Sequence, residues 1–244
     1  MATLGFKFGS YSFSGTGALI YDFDIKSDNR IETQLIPTKD GADIEEAEIN
    51  PMLVTFRGTL TADTASDLRN KQSDLFKILE AGSQALRIWD DRYATAQKRS
   101  FTYDYANAMC YMRFTASFVA ENPFWVADTA TTNTNAITTA TYNYDVNTGG
   151  SAYVKPTITI TAHEDLTSLS LQNITANERF GFGATVSSGN DLVINTDTYV
   201  VTNNAVDAVG DFSGDFFKLL AGTSNLEYEG GKCSLKVEWF DRWY

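Results

Sequence analysis

The chain has 244 residues, 43% hydrophobic and 20% charged, with 17 glycines and 4 prolines; this globular balance excludes intrinsic disorder and collagen-like or proline-rich architectures. Lys plus Arg number 19 against 31 Asp plus Glu, a net charge of −12, with 13 basic and 17 acidic residues up to Trp125 and 6 and 14 after it, which disfavours binding to nucleic acid or to an anionic membrane surface. No apolar run approaches the roughly 18 residues needed to span a bilayer, and the start at Met1 lacks a basic and apolar leader, so the expectation is a chain folded in a cytosol with Cys110 and Cys233 as reduced thiols.

In chain order, residues 22–51 are weakly periodic and charged. Asp40-Gly41 is a turn signal, and Asp43, Glu45, Glu46 and Glu48 form an acidic patch. The residues alone read as a solvated loop, or as an extended arm lying on a neighbouring subunit. Leu53–Leu60 alternates as a strand. A helix is predicted from about Thr64 to Ala81, with Leu68, Leu75, Ile78 and Leu79 on one stripe, a cap at Thr64-x-x-Asp67 and a stop at Gly82. Strands follow at Ala85–Trp89, Phe101–Tyr105 and Tyr111–Val119, so Leu60 to Leu86 reads as a strand–helix–strand unit.

Asn122-Pro123 closes this region. Asp128–Thr148, with eight threonines, four asparagines and no Lys or Arg, reads as a linker with one strand at Tyr142–Val146. Short strands at Thr157–Thr161, Leu169–Leu171, Leu192–Ile194 and Leu235–Trp239 alternate with the turn clusters Gly149-Gly150, Ser187–Asn190, Asn203-Asn204 and Gly230-Gly231. That pattern suggests a sandwich. The expected division is 1–126, an N-terminal domain with an arm at about 22–51; 127–148, linker and first strand; and 149–244, a C-terminal β-sandwich.

Catalytic constellations are scarce. His163 is the single histidine; His163-Glu164-Asp165 lacks the second histidine of a zinc-protease helix and reads as a surface turn. No Gly-x-Ser-x-Gly elbow or phosphate-binding glycine–lysine loop occurs. Asp90-Asp91 reads as a charged turn, and Cys110 and Cys233 as buried structural thiols. No catalytic residue, cofactor or metal site is assigned, and the expectation is a protein without enzymatic activity. The aromatic segments Phe124-Trp125 and Trp239–Tyr244 are hard to bury wholly in alternating strands, which makes subunit contacts the expectation for some of them.

These motifs, in order, resemble the distal tail proteins of long-tailed phages with flexible tails. The likeness lies in Lys39-Asp40-Gly41, Phe56–Leu60, the helix Asp67–Leu79 ending at Gly82, Leu86–Tyr93, Phe114–Phe118 and Asn122-Pro123-Phe124. In the second half it lies in Pro156–Ile160, Asn173-Ile174-Thr175, Asp191–Ile194 and the run from Phe217 through Leu220 and Gly222 to Asn225-Leu226. The resemblance implies a mainly β fold, with a sandwich-like N-terminal domain carrying one helix and an arm, then a galectin-like β-sandwich. It also implies a hexameric virion ring, made in the host bacterial cytoplasm, that joins tail tube to baseplate or fibre hub and lets DNA pass without specific binding.

On that reading Arg30, Asp40, Gly41, Phe124 and Trp125 are candidate subunit contacts. Asp43, Glu45, Glu46 and Glu48 are candidate acidic lumen residues, which would repel phosphates. Two alternatives stand beside it: a carbohydrate-binding module for host attachment, and a ring protein of the tail-tube type. The histidine-containing sugar cluster of true galectins cannot be assembled around His163, so sugar binding is not carried over from the architecture.

Overall fold

Alternating apolar and polar residues make strands of most of this chain. The computed structural model describes residues 4–15, 17–27, 29–30, 33–35, 42–44, 48–106 and 110–244, apart from the side chains of residues 4, 29–49 and 106. They fall into two units, Met1–Trp125 with Tyr244, and Val126–Trp243.

The first unit begins with β1 (Leu4–Phe8), β2 (Tyr11–Ser12) and β3 (Ala18–Lys26). Four short strands follow: β4 (Asn29–Arg30), β5 (Thr33–Leu35), β6 (Ala42–Ile44) and β7 (Glu48–Ile49). Then come β8 (Met52–Thr61), helix α1 (Ala65–Leu79), β9 (Gln84–Trp89), β10 (Arg92–Ala106) and β11 (Tyr111–Ala120). The main sheet is antiparallel, with its strands in the order β2–β1–β9–β10–β11–β8–β3. β8 and β9, read in the sequence as the flanks of one strand–helix–strand unit, are separated in the sheet by β10 and β11.

β8 shows how the sequence builds this sheet. Met52, Val54, Phe56 and Leu60 are buried, while the residues between them up to Arg57 are only half-buried. Gly58 takes its place on the same buried face. A Cβ there would lie 2.7 Å from the Leu19 carbonyl oxygen and 2.7 Å from the Phe114 ring, so only glycine lets β3 and Phe114 come this close. The sheet curls far enough for Phe6 of β1 to meet Phe56 of β8 edge-on, with centroids 5.3 Å apart. Phe13 and Phe118 also pack on Phe56.

Helix α1 starts where Thr64, with φ −130° and ψ 155°, turns its hydroxyl oxygen to accept the Asp67 N–H. That same hydroxyl donates to the Asp67 carboxylate at 2.7 Å. The shorter Asp thus reaches the cap side chain, where the Glu of a full capping box would reach the cap backbone. Leu68, Gln72, Leu75 and Leu79 are buried. The helix ends close to the expected Ala81, with Gly82 at φ +80° beyond it.

After β12 (Trp125–Ala127), the second unit contains β13 (Thr131–Ile137), β14 (Thr141–Thr148), β15 (Thr157–Ala162), β16 (Leu169–Asn173), β17 (Glu178–Phe182), β18 (Asp191–Asn195), β19 (Val200–Asn203), β20 (Val206–Asp207), β21 (Phe212–Gly214), β22 (Gly222–Glu229), β23 (Cys233–Trp239) and β24 (Arg242–Trp243). A six-stranded sheet, β13–β23–β15–β18–β19–β20, and a five-stranded sheet, β14–β22–β16–β17–β21, supply one common core. Ile158, Ile160, Leu192, Ile194, Leu235 and Val237 come from the first sheet, and Leu171, Phe180, Phe182, Leu226 and Tyr228 from the second. This is a β-sandwich.

Two expectations change here. The Thr/Asn-rich stretch 127–148 is two strands, β13 and β14, in place of a linker with one. Each is a sheet edge with one exposed face, and β13 buries only Ile137 fully; such a strand needs few apolar residues and resembles a linker in composition. Cys233 is buried as expected, but Cys110 is half-buried, with its sulfur 3.8 Å from the Asp63 carbonyl oxygen.

Candidate assembly surface

The first unit exposes apolar side chains along one strand. β3 ends the main sheet, and its outer backbone edge pairs with no other strand among the described residues. Between Ile20 and Asp22 the register slips against Gly58 and Arg57, so Tyr21 is an extra residue without a partner on β8. Such a bulge twists the strand and turns a side chain outward. Leu19 is 62% exposed, Tyr21 59% and Phe23 37%. Beside them the Arg57 guanidinium donates to the Asp22 carboxylate at 2.5 Å. Both side chains are largely solvated, so this pair orients the edge more than it stabilises it.

The arm grows from the same strands. Residues 22–26, expected within the arm, belong to β3 and pair with Leu53–Arg57 of β8. Beyond them Asn29 pairs with Ile49 and Arg30 with Glu48. Thr33 then pairs with Ile44, Gln34 with Asp43 and Leu35 with Ala42. These registers nest, as in a hairpin. Arg30 and Glu48 are therefore brought opposite one another on the backbone, and Asp43 opposite Gln34. Asp40, Gly41, Glu45 and Glu46 lie outside the described residues.

Phe124 and Trp125 were expected at subunit contacts. Their side chains are buried, at 4% and 1% exposure. The Trp125 ring meets Trp89 at 5.1 Å, edge to face, and Arg92 covers Trp89 from 5.4 Å. They are buried groups of the first unit: Trp89 on β9 supplies Trp125 with a neighbour that no local pattern reveals, and Phe124 meets the Tyr244 ring at 5.2 Å. Arg92 also hydrogen-bonds Asp91 and holds its carboxyl below the usual carboxylate range. The Asp90-Asp91 segment is the charged turn that the sequence suggested.

A second exposed aromatic cluster lies between α1 and β10. Phe76 of the helix meets Phe101 and Tyr103, Tyr103 meets Tyr105, and the Tyr105 hydroxyl donates to Gln72. The open groove there encloses about 600 Å³. In the second unit Trp239 is buried, whereas Phe240 is 45% exposed. His163 is exposed in the turn after β15, and no three His, Cys, Asp or Glu side chains gather into a metal-binding group among the described residues.

Sequence reasoning missed Leu19, Tyr21 and Phe23. Their signal was an apolar run, Ala18 to Tyr21, that breaks the period of two just before the charged arm.

Residues 149–243 match the family model described as the siphovirus-type tail component, C-terminal domain. The matched residues lie within the second unit. No curated protein matches the sequence. Among solved structures, the Dit protein (gp 19.1) of phage SPP1, described as a paradigm of the hub adsorption apparatus in phages infecting Gram-positive bacteria, is similar over 99% of this chain and 100% of its own. The TM-score is 0.79 at 14% identity. A chain in the baseplate of phage P2 in its activated conformation is similar over 97% of this chain and 98% of its own, with a TM-score of 0.46 at 10% identity. The likeness to distal tail proteins read from the sequence is therefore borne out: the family match covers 149–243 of the second unit, and the similarity to the SPP1 fold extends over both units.

Proposed function

We propose that this protein is a structural part of a siphophage tail tip, a closed hexameric ring between the tail tube and the baseplate or fibre hub, without enzymatic activity. The single observation that carries the reading is the SPP1 Dit fold extending over 99% of the chain, with a tail component domain in its second half. The first unit supplies what a ring needs, since a cyclic assembly joins two different patches on each subunit. One patch is the open β3 edge with Leu19, Tyr21 and Phe23. The other is the hairpin arm that starts beside it.

Such an edge is an aggregation hazard in a lone monomer and is normally covered or charged. Burial against the arm of the next subunit would remove it. Arg30, Asp40 and Gly41 then belong to the arm contact. The acidic residues Asp43, Glu45, Glu46 and Glu48 facing the lumen would repel DNA phosphates and let the genome slide past. The second unit, a β-sandwich of galectin-like architecture, then hangs outside the ring.

Light scattering of the purified protein, followed by negative-stain imaging, tests this. The expected result is a discrete species of six subunits with an open centre, alone or after co-expression with the neighbouring tail proteins. A monomer in both preparations overturns the ring, and long open tubes move the protein to the tail-tube class.

A further inference from the structure

The geometry points to a binding site for a neutral saccharide on the outer face of the five-stranded sheet of the second unit, a site that does not depend on ring formation. An open trough of about 590 Å³ runs there, within the size range of ligand clefts. Strand register builds it. Glu229 of β22, Ser170 of β16, Gly181 of β17 and Ser213 of β21 stand in one row across four strands. Phe180, Phe182, Leu169, Leu171 and Tyr228 alternate with them and are buried in the core. The trough thus has a rigid floor whose apolar side is already occupied.

Its polar groups are held in place. The Arg179 guanidinium donates to Ser170 Oγ at 2.7 Å and to Glu229 Oε2 at 2.6 Å, and Ser170 lies 3.2 Å from the same carboxylate oxygen. Arg179 and Glu229 are nonetheless about half exposed, at 54% and 49%. One guanidinium nitrogen serves both contacts, and the other guanidinium nitrogens and Glu229 Oε1, on residues that line the trough, have no hydrogen-bond partner among the described residues.

The glycines separate a structural reason from a functional one. Gly214 needs its φ of +97°, and a Cβ on it would strike the Arg179 carbonyl at 2.3 Å. Gly181 and Gly183 have no such reason. Neither has a positive φ. A Cβ on Gly181 would meet only Ser213 Oγ at 3.2 Å and the Leu169 carbonyl at 3.8 Å, and one on Gly183 only the Asp211 carbonyl at 3.9 Å. Glycine inside a strand weakens it, and often marks close approach of a ligand. Here Gly181, inside β17, keeps the floor bare where a side chain would need only the Ser213 hydroxyl to give way, and Gly183 just beyond the strand leaves open space beside it.

The charges choose the ligand class. Glu229 repels phosphate, sulfate and carboxylate groups, and Arg179 repels cations. A polyol matches both at once, because each hydroxyl can accept from Arg179 and donate to Glu229. No aromatic face is presented in the trough, so binding rests on hydrogen bonds and is selective for hydroxyl geometry.

Saturation-transfer NMR on the full chain tests the site, with the neutral disaccharides maltose, lactose, cellobiose and chitobiose and the anionic glucose 6-phosphate as probes. The expected result is transfer to at least one neutral disaccharide and none to glucose 6-phosphate. Gly181→Val, which fills the floor with a good strand former, and Glu229→Gln, which keeps the shape and removes the charge, each weaken binding about tenfold or more with unchanged melting temperature. Transfer to no neutral probe overturns the proposal. So does transfer that survives both variants, or transfer to glucose 6-phosphate alone. If no sugar binds and Gly181→Val instead abolishes retention of a tail protein, the trough is a protein-docking face and the proposal fails.

Discussion

Phe6 on β1, one strand in from one end of the main sheet, and Phe23 on β3, at its other end, have ring centroids 5.4 Å apart. The sheet therefore closes on itself through rings. Phe56, fully buried, touches Phe6, Phe13 and Phe118 and is the centre of that closure. Phe56→Ala is expected to destabilise the first unit by about 3–5 kcal/mol, as for large core truncations. Phe23→Ala, at a partly exposed ring, costs clearly less. Urea unfolding of the two variants side by side checks the order; equal losses would place the closure elsewhere.

Gly58→Ala puts a methyl group against the Leu19 carbonyl, which is backbone and cannot rotate away. The expected loss is about 1–3 kcal/mol, with β3 displaced. Gly82→Ala faces open space and meets only the strain of a positive φ, about 1 kcal/mol. Thermal melts of both variants, with amide exchange on β3, separate a clash from local strain: only Gly58→Ala should speed exchange along Ala18–Lys26.

Thr64→Ala removes both the acceptor for the Asp67 N–H and the hydroxyl donor to its carboxylate. It is expected to cost about 1 kcal/mol, read as a lower denaturant midpoint with an unchanged slope. Thr64→Ser should recover most of it.

Tyr144 and Tyr228 face the same core but differ in one bond. The Tyr228 hydroxyl donates to the Gly231 carbonyl at 3.1 Å, whereas the buried Tyr144 hydroxyl has no partner among the described residues. Tyr144→Phe is therefore expected to leave stability unchanged or raise it by about 1 kcal/mol, and Tyr228→Phe to lower it by about 1 kcal/mol. Opposite signs in chemical denaturation are the result to look for.

Alkaline pH acts on these groups together. Burial pushes the Tyr144 and Tyr228 phenols and the Cys233 thiol above their ordinary values. The unfolded chain then loses these protons first, so the stabilisation is complete below the ordinary thiol and phenol values and declines above them. Each group contributes a slope of up to about 1.4 kcal/mol per pH unit. Melting of the second unit should be unaffected by these groups near neutrality and fall from about pH 9 upward, less steeply in Tyr144→Phe.

Helix α1 was legible because its information is local: a cap at Thr64, a stripe from Leu68 to Leu79 and a stop at Gly82 lie within one stretch. The inner strands were legible from alternation. β14 was legible at Tyr142–Val146, but β13 resembles a linker, because an edge strand with one wet face needs few apolar residues and β13 buries only Ile137 fully. Phe124 and Trp125 were misread because their neighbours, such as Trp89, come from other strands. The saccharide trough was not legible at all. Glu229, Ser170, Gly181 and Ser213 carry no shared motif, and only cross-strand register brings them into line.

The second unit also has an order of manufacture. β13 pairs with β23 along its whole length, from Thr131 opposite Trp239 to Ile137 opposite Cys233, and β14 pairs likewise with β22. Within this unit, the strands made first are thus completed by strands made about 80 to 100 residues later. Contacts this distant along the chain form slowly, and the Thr/Asn-rich opening strands must wait in water meanwhile. Their polar composition suits that wait: a segment poor in apolar side chains stays unaggregated while it lacks a partner.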